Sequence, residues 1–279
     1  MTKKTILPLL FFSFLLSFPT ISQNKLGTGL GDESHLYSQT KQVNQFFRRF
    51  NNEEDREGDR YYSGDSLYRD NAFRHIYLEM LFDKKSPSID PDLKKEFIQD
   101  VTNTENPQFL QFRGGSWFAE LSTTFQNKGE TVYPILFLHL EQENLGYKWV
   151  ITNVYFDRFL REFFKGDKAV VNKSFLHPMS HELDFMNIHK AFRDTKYVEY
   201  YARHDFKPDY LTLFFYEIKA GDLEFVQSGD LKFHFFQIDG WYFEVSFVNR
   251  SGYNTGWLIT KLFKISEQEK SELVEFYLP

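Results

Sequence analysis

Two periods organise this chain. Apolar residues fall at i, i+3, i+4 and i+7 in Val43, Phe46, Phe47 and Phe50. The same spacing recurs through Phe73, Ile76, Tyr77, Met80 and Leu81, and again through Leu93, Phe97, Ile98 and Val101. Such positions share one helical face, so three amphipathic helices are predicted before residue 107. Asp70 or Asn71 caps the second, Pro91 opens the third, and Asn106-Pro107 closes it. At Trp117 the period drops to two. Trp117, Ala119, Leu121 and Thr123 alternate with Phe118, Glu120, Ser122 and Thr124, which sets them on opposite faces of a strand. Turns at 127–129 and 143–146 leave two further strands, 131–141 and 147–156.

The second half repeats this order. Pro178 opens a helix carrying Leu183, Met186, Ile188 and Phe192, and Tyr197, Tyr200 and Tyr201 make a shorter one before Pro208. Strands are predicted over 210–219, 223–227, 231–238, 241–249 and 256–265. Asp239-Gly240 reads as a two-residue type I′ turn, because both residues tolerate positive φ. Counting outward from it pairs Ile238 with Trp241 and sets His234 opposite Val245, on the face away from Glu244. A His-Glu pair there requires a bulge or a longer turn. Ser266, with Glu269 three residues later, forms a capping box for a last helix. The closing strands of the halves share texture, Gly146-Tyr147-Lys148-Trp149 in one and Gly256-Trp257 in the other. The expected fold is α+β in two tandem domains, 41–165 and 166–279, each with N-terminal helices packed on a curved antiparallel sheet. Phe46, Phe50, Ile76, Met80, Leu136, Leu138, Val150, Phe243, Val245 and Leu258 are the expected core.

Residues 1–22 follow a third pattern. Lys3 and Lys4 precede an apolar run from Ile6 to Phe18, and Thr20-Ile21-Ser22 supplies small residues for cleavage before Gln23. This is the layout of a secretory signal peptide. The run is shorter than the ~20 residues that span a bilayer. Residues 23–40, with Gly27, Gly29 and Gly31, read as a flexible leader. The mature chain is expected to be soluble in the periplasm or outside the cell, with no stable membrane insertion after cleavage.

Composition narrows the functional classes. The 279 residues carry 33 Lys+Arg against 39 Asp+Glu and no cysteine. A net charge of -6 argues against a nucleic-acid partner, which calls for a concentrated basic surface. Without cysteine there is neither a disulfide scaffold nor a lipid attachment site, and an exported chain of this kind reads as bacterial. Aromatics reach 19%, and 33 of them are Phe, which favours burial. No Walker loop, GxGxxG, HExxH, GxSxG or CxxC is present.

Amphipathic helices followed by a curved meander ending in Gly146, Tyr147, Trp149 and Ile151 resemble the NTF2-like (cystatin-like, cone-shaped) superfamily. The resemblance covers most of 41–160 and extends less clearly over 178–265. It implies helices covering a concave sheet with a pocket. Some members are dehydratases or isomerases, and many are binding or assembly modules.

His177-Pro178-Met179-Ser180-His181-Glu182, with Asp184 and His189 nearby, has two histidines at i, i+4. Pro178 puts His177 outside the helix, so the zinc spacing loses its geometry and no metal is expected. His139 and His234 lie in strands, where a histidine beside a carboxylate can act as a general base. Polar-tipped aromatics can line a ligand groove. The expected ligand-binding residues are His139, Trp149, Tyr155, His234, Tyr242 and Glu244, with no cofactor and no catalytic set. The function expected is an exported, non-catalytic binding or assembly module whose partner is a small molecule, a glycan or a protein. The alternatives are a hydrolase or isomerase with its site in one cone, and a surface-glycan binder.

Overall fold

Three helices precede the first strand. Helix α1 (Val43–Asn51) buries Phe46, Phe47 and Phe50 and stops where Asn52 turns left-handed, at φ 56°. Helix α2 (Asn71–Met80) starts on Asp70, whose carboxylate accepts from the amides of Ala72 and Phe73. Helix α3 (Pro91–Val101) starts on Asp90 with Pro91 in its first turn. Both acidic caps satisfy amides that a helix leaves unpaired. The computed structural model describes residues 42–55, 57–163, 171–251 and 254–278. The signal segment, the leader and the expected boundary near residue 165 lie outside them.

Strands β1 (Trp117–Asn127), β2 (Glu130–Val132), β3 (Ile135–Glu143) and β4 (Gly146–Tyr155) form the first meander. After α4 (Asp157–Glu162) come 3-10 turns at Pro178–Leu183, Met186–Ile188 and Thr195–Tyr201, with the short α5 (His189–Arg193) among them. Helix α6 (Tyr210–Ala220) leads into β5 (Leu223–Phe235), β6 (Trp241–Val248) and β7 (Gly256–Lys264), and α7 (Glu267–Tyr277) follows β7.

The expected pair of sheets gives way to one. Its order is β4-β3-β1-β5-β6-β7, with β2 off β1. Each half does contribute a meander, but the two are joined back to back through their first strands. β1 and β5 pair antiparallel from Trp117↔Phe235 to Asn127↔Leu223, with two irregularities between. The similar closing strands β4 and β7 become the outermost strands on that order. An unpaired first strand in each half leaves a row of free amides and carbonyls, and mutual pairing satisfies both rows.

The main core lies between α1–α3 and one sheet face, where Phe46, Phe50, Phe97, Trp117, Phe235 and Phe243 are nearly fully buried. Phe235 and Phe243 stack at 4.9 Å and 7° across the β5–β6 ladder. A second cluster, joined to the first through Leu138, packs Phe125, Leu136 and Val154 on Phe159 of α4 and Phe214 of α6. On the opposite face, Phe118, Phe137 and Phe236 are covered by Leu273, Val274 and Tyr277 of α7. The capping box that starts α7 is formed by Ser266 and Glu269 as the spacing predicts.

Three further expectations are corrected. Residues 210–220 form helix rather than strand. Asp209 caps it by accepting from Leu211 and Thr212, and Gly221 at φ 79° ends it. A run apolar all round carries neither period, so the caps decide it. Second, Ile76 is 59% exposed. Arg74 and Leu78, not the Phe73/Ile76 ridge, face the core from α2. Arg74 is fully buried because Nε donates to Phe50 O at 2.9 Å, Nη1 to Val101 O at 3.1 Å, and Nη2 to Gln108 O. Burial pushes its pKa down to about 9, so it keeps its charge at neutral pH. Third, the β5–β6 connection is longer than two residues. Phe236 leaves the ladder to donate to Ser116 O at 2.8 Å, and the last pair of the ladder is Phe235↔Phe243. The register moves by one, and His234 stands opposite Glu244.

Candidate functional site

The register shift turns His234 onto the sheet face that carries Glu120, Tyr242 and Glu244. His234 Nε2 lies 3.0 Å from Glu120 Oε2, and Nδ1 lies 2.9 Å from Tyr242 Oη. An ionised carboxylate only accepts, so Nε2 carries a proton, and in the neutral ring Nδ1 accepts from the Tyr242 hydroxyl. A His-carboxylate pair therefore forms, but the carboxylate comes from β1 across the junction of the halves. Glu244 instead accepts from Lys261 Nζ at 3.1 Å.

Electrostatics follow from this packing. The hydrogen bond from His234, aided by the charges of His234 and Lys232, holds Glu120 below the usual carboxylate range, against an opposing push from burial. Burial foremost, then the charge of Glu244, raises the Tyr242 hydroxyl well above its ordinary value. The imidazole is stacked on Phe118 at 4.7 Å and 16°, and lies 6.2 Å from the Tyr277 ring of α7. Tyr242 is stacked on Phe236 on one side and Phe263 on the other. His234 is only 5% exposed. The arrangement has the parts of a proton relay, but both ring nitrogens are engaged and aromatic rings close over it.

The other sequence-derived residues lie apart from it. His139 Nδ1 is 2.9 Å from Trp117 O. Trp149, on the outer strand β4, meets Trp117 edge-on at 5.5 Å. Tyr155, half exposed, sits at the far end of β4. His177 caps the turn that follows it by accepting from Met179 N at 3.1 Å. No group of three or more His, Asp or Glu suited to a metal occurs among the described residues.

A second site lies between α1, α2 and the start of β7. A cavity of about 540 Å³ opens there, with Phe46, Leu81 and Leu258 as apolar wall and Arg49, Tyr77 and Trp257 among its polar and aromatic lining. That volume suits a small molecule, for which sites run from about 300 to 1,000 Å³. α1 and α2 each give it one flank of a helix whose other flank is core. Asn254 is fixed at its edge, donating to Phe82 O at 2.9 Å and accepting from Lys84 N at 3.0 Å.

Sequence reasoning missed Glu120 as a partner and missed this cavity. A lone acid within the apolar run Trp117–Leu121 was the available signal for Glu120. The cavity gave none, because Arg49, Tyr77 and Trp257 come from three distant segments. No known protein family, characterised protein or solved structure matches the chain at a significant level.

Proposed function

We propose that the protein is an exported, non-catalytic binding module whose ligand occupies the cavity between α1, α2 and β7. The observation that carries this reading is the cavity itself, of ligand size, with an apolar wall and a polar, aromatic lining. The contrast with His234 supports it, since catalysis needs a base that can reach a substrate and His234 is enclosed with both nitrogens bonded. Helices preceding antiparallel strands and packing on one sheet face support a place among NTF2-like cones, here a single cone made from both meanders. The Lys3-Lys4, apolar, Thr-Ile-Ser layout supports export to the periplasm or medium.

The test is a small-molecule library screened by thermal shift against the protein and its Gln45→Trp variant. Gln45 lines the cavity from α1, and an indole there intrudes on it. A ligand that binds only the folded state raises its melting temperature. Hits that stabilise the protein and His234→Gln but not Gln45→Trp are expected. Hits indifferent to the intruding indole, or turnover abolished by His234→Gln, would overturn the reading.

A further inference from the structure

We infer that the ligand of this cavity is an amphipathic anion, a flat apolar body carrying one carboxylate-like group that meets Arg49. The inference rests on the cavity being the binding site and adds the chemical class. Arg49 lines the cavity, and its Nε is buried without a hydrogen-bond acceptor. The nearest carboxylate is Glu54, whose Oε1 lies 3.4 Å from that nitrogen. Glu54 Oε2 accepts from Arg48 Nε at 2.5 Å, while its Oε1, like Arg49 Nε, is buried without a hydrogen-bond partner. Two guanidinium groups thus share one buried carboxylate.

The remaining charges do not correct the excess. Asp55 also lines the cavity, but its Oδ1 accepts from the amides of Gly58 and Asp59, both at 2.8 Å. Lys84 stands at the exposed rim, and its ammonium has no acidic partner among the described residues. Arg48, Arg49 and Lys84 against Glu54 and Asp55 leave one positive charge over. A guanidinium at the wall favours a planar oxyanion, which it binds more strongly than a neutral acceptor. Tyr77 and Trp257 offer rings, and Phe46, Leu81 and Leu258 exclude water from the body of the ligand. A cationic ligand would meet Arg49 and Lys84 with like charge.

The test uses three shape-matched probes, 2-naphthylacetate, 2-naphthylethanol and 2-naphthylethylamine, titrated calorimetrically into the purified protein. The acid is expected to bind at least tenfold more tightly than the alcohol, with the amine weakest. Arg49→Gln should remove most of the acid's advantage over the alcohol and leave the alcohol unchanged. Trp257→Leu should weaken both by a similar factor. Lys84→Gln, at an exposed position that folding tolerates, should lower affinity for the acid severalfold, and raised salt should act the same way. These two arms keep the test decisive where Arg49→Gln fails to fold. Alcohol or amine binding as well as the acid overturns the anion while leaving the cavity reading intact. Binding of none of the three also overturns it, and the library comparison with Gln45→Trp then decides the cavity reading separately.

Discussion

Glu120 Oε2 and His234 Nε2 meet at 3.0 Å across 114 residues of sequence, and the contact ties the first strand of one meander to the first strand of the other. The neighbouring pair Glu120↔Lys232 strengthens the same seam, with Nζ 3.4 Å from Oε1. The junction of the two halves is thus held by a charged cluster on one face and by Phe233, Phe235 and Trp117 on the other.

The cluster makes stability depend on pH in a defined direction. Glu120 is held below its ordinary pKa in the folded chain. The unfolded chain takes up that proton near the usual value of about 4.3. The contribution is therefore complete above that value and is lost as the pH falls through the lower folded pKa. Glu120→Gln should lose about 1.5–3 kcal/mol at pH 7, the range for a hydrogen bond to a charged group. Urea unfolding at pH 7 and at pH 3.5 checks this. The gap between variant and parent should narrow at the lower pH, and a constant gap would exclude the linkage.

Arg74 is expected to be the least replaceable charged residue. Its guanidinium joins the carbonyls of Phe50, Val101 and Gln108, which lie at the ends of α1 and α3 and in the loop that follows. It also lies over the Phe109 ring at 4.2 Å. Arg74→Met removes three hydrogen bonds from a charged donor, only Val101 O keeping another partner in Gln108 N, and should cost about 3 kcal/mol or more. Arg74→Lys should rescue little, because an ammonium cannot reproduce the planar fork. Chemical denaturation of both variants measures the difference, and near-parental stability of the lysine variant would show that charge alone suffices.

Phe50 and Ile76 should behave oppositely, although both fall on apolar helical ridges in the sequence. Phe50 is fully buried, stacked on Phe243 at 6.0 Å and 8° and edge-on to Phe97. Phe50→Ala should cost about 3–5 kcal/mol. Ile76→Ala, on the outer face of α2, should stay within about 0.5 kcal/mol. Thermal melts of the two variants suffice, and equal losses would put Ile76 in the core.

Helices α1 to α3, the Asp70 cap of α2, the meander in each half and the last capping box are legible from spacing because local geometry sets them. The joining of the meanders is not, since nothing local in Trp117–Asn127 or Leu223–Phe235 says which strand will pair with which. Arg74 shows the limit for α2. A buried arginine satisfied by three carbonyls inverts the apparent apolar face, and its partners lie 24 to 34 residues away. The His234 site fails in sequence by a single residue of register. Asp239-Gly240 has the composition of a tight turn, yet Phe236 is drawn off to Ser116 by a segment 120 residues earlier. Of the six residues singled out, His234 and Tyr242 are brought into contact, Glu244 lies beside them, and His139, Trp149 and Tyr155 lie elsewhere on the sheet.

Export predicts a processed N-terminus. N-terminal sequencing of protein recovered from the periplasm or medium should begin near Gln23, after Thr20-Ile21-Ser22. Protein retained in the membrane with Met1 intact would rule out cleavage.

The register of the β5–β6 connection should depend on Gln237. Its Oε1 accepts from Gln111 N at 2.6 Å, and its Nε2 donates to Gln111 O at 2.9 Å and Gly114 O at 3.1 Å. The side chain acts as a substitute strand for the loop before β1 and holds the connection open. Gly115 sits against it at φ 71°, where an added Cβ would fall 2.7 Å from Gln237 Cδ. Gly115→Ala therefore meets two penalties, a left-handed backbone of about 1–2 kcal/mol and a collision with Gln237. Gln237→Ala removes the three hydrogen bonds and the collision together. In the double variant only the backbone penalty of Gly115→Ala should remain, so the combined loss should fall short of the sum by about 1 kcal/mol or more. A double-mutant cycle by urea unfolding measures the coupling. Strict additivity would show that Gly115 and Gln237 do not constrain each other, and that something other than this contact keeps His234 opposite Glu244.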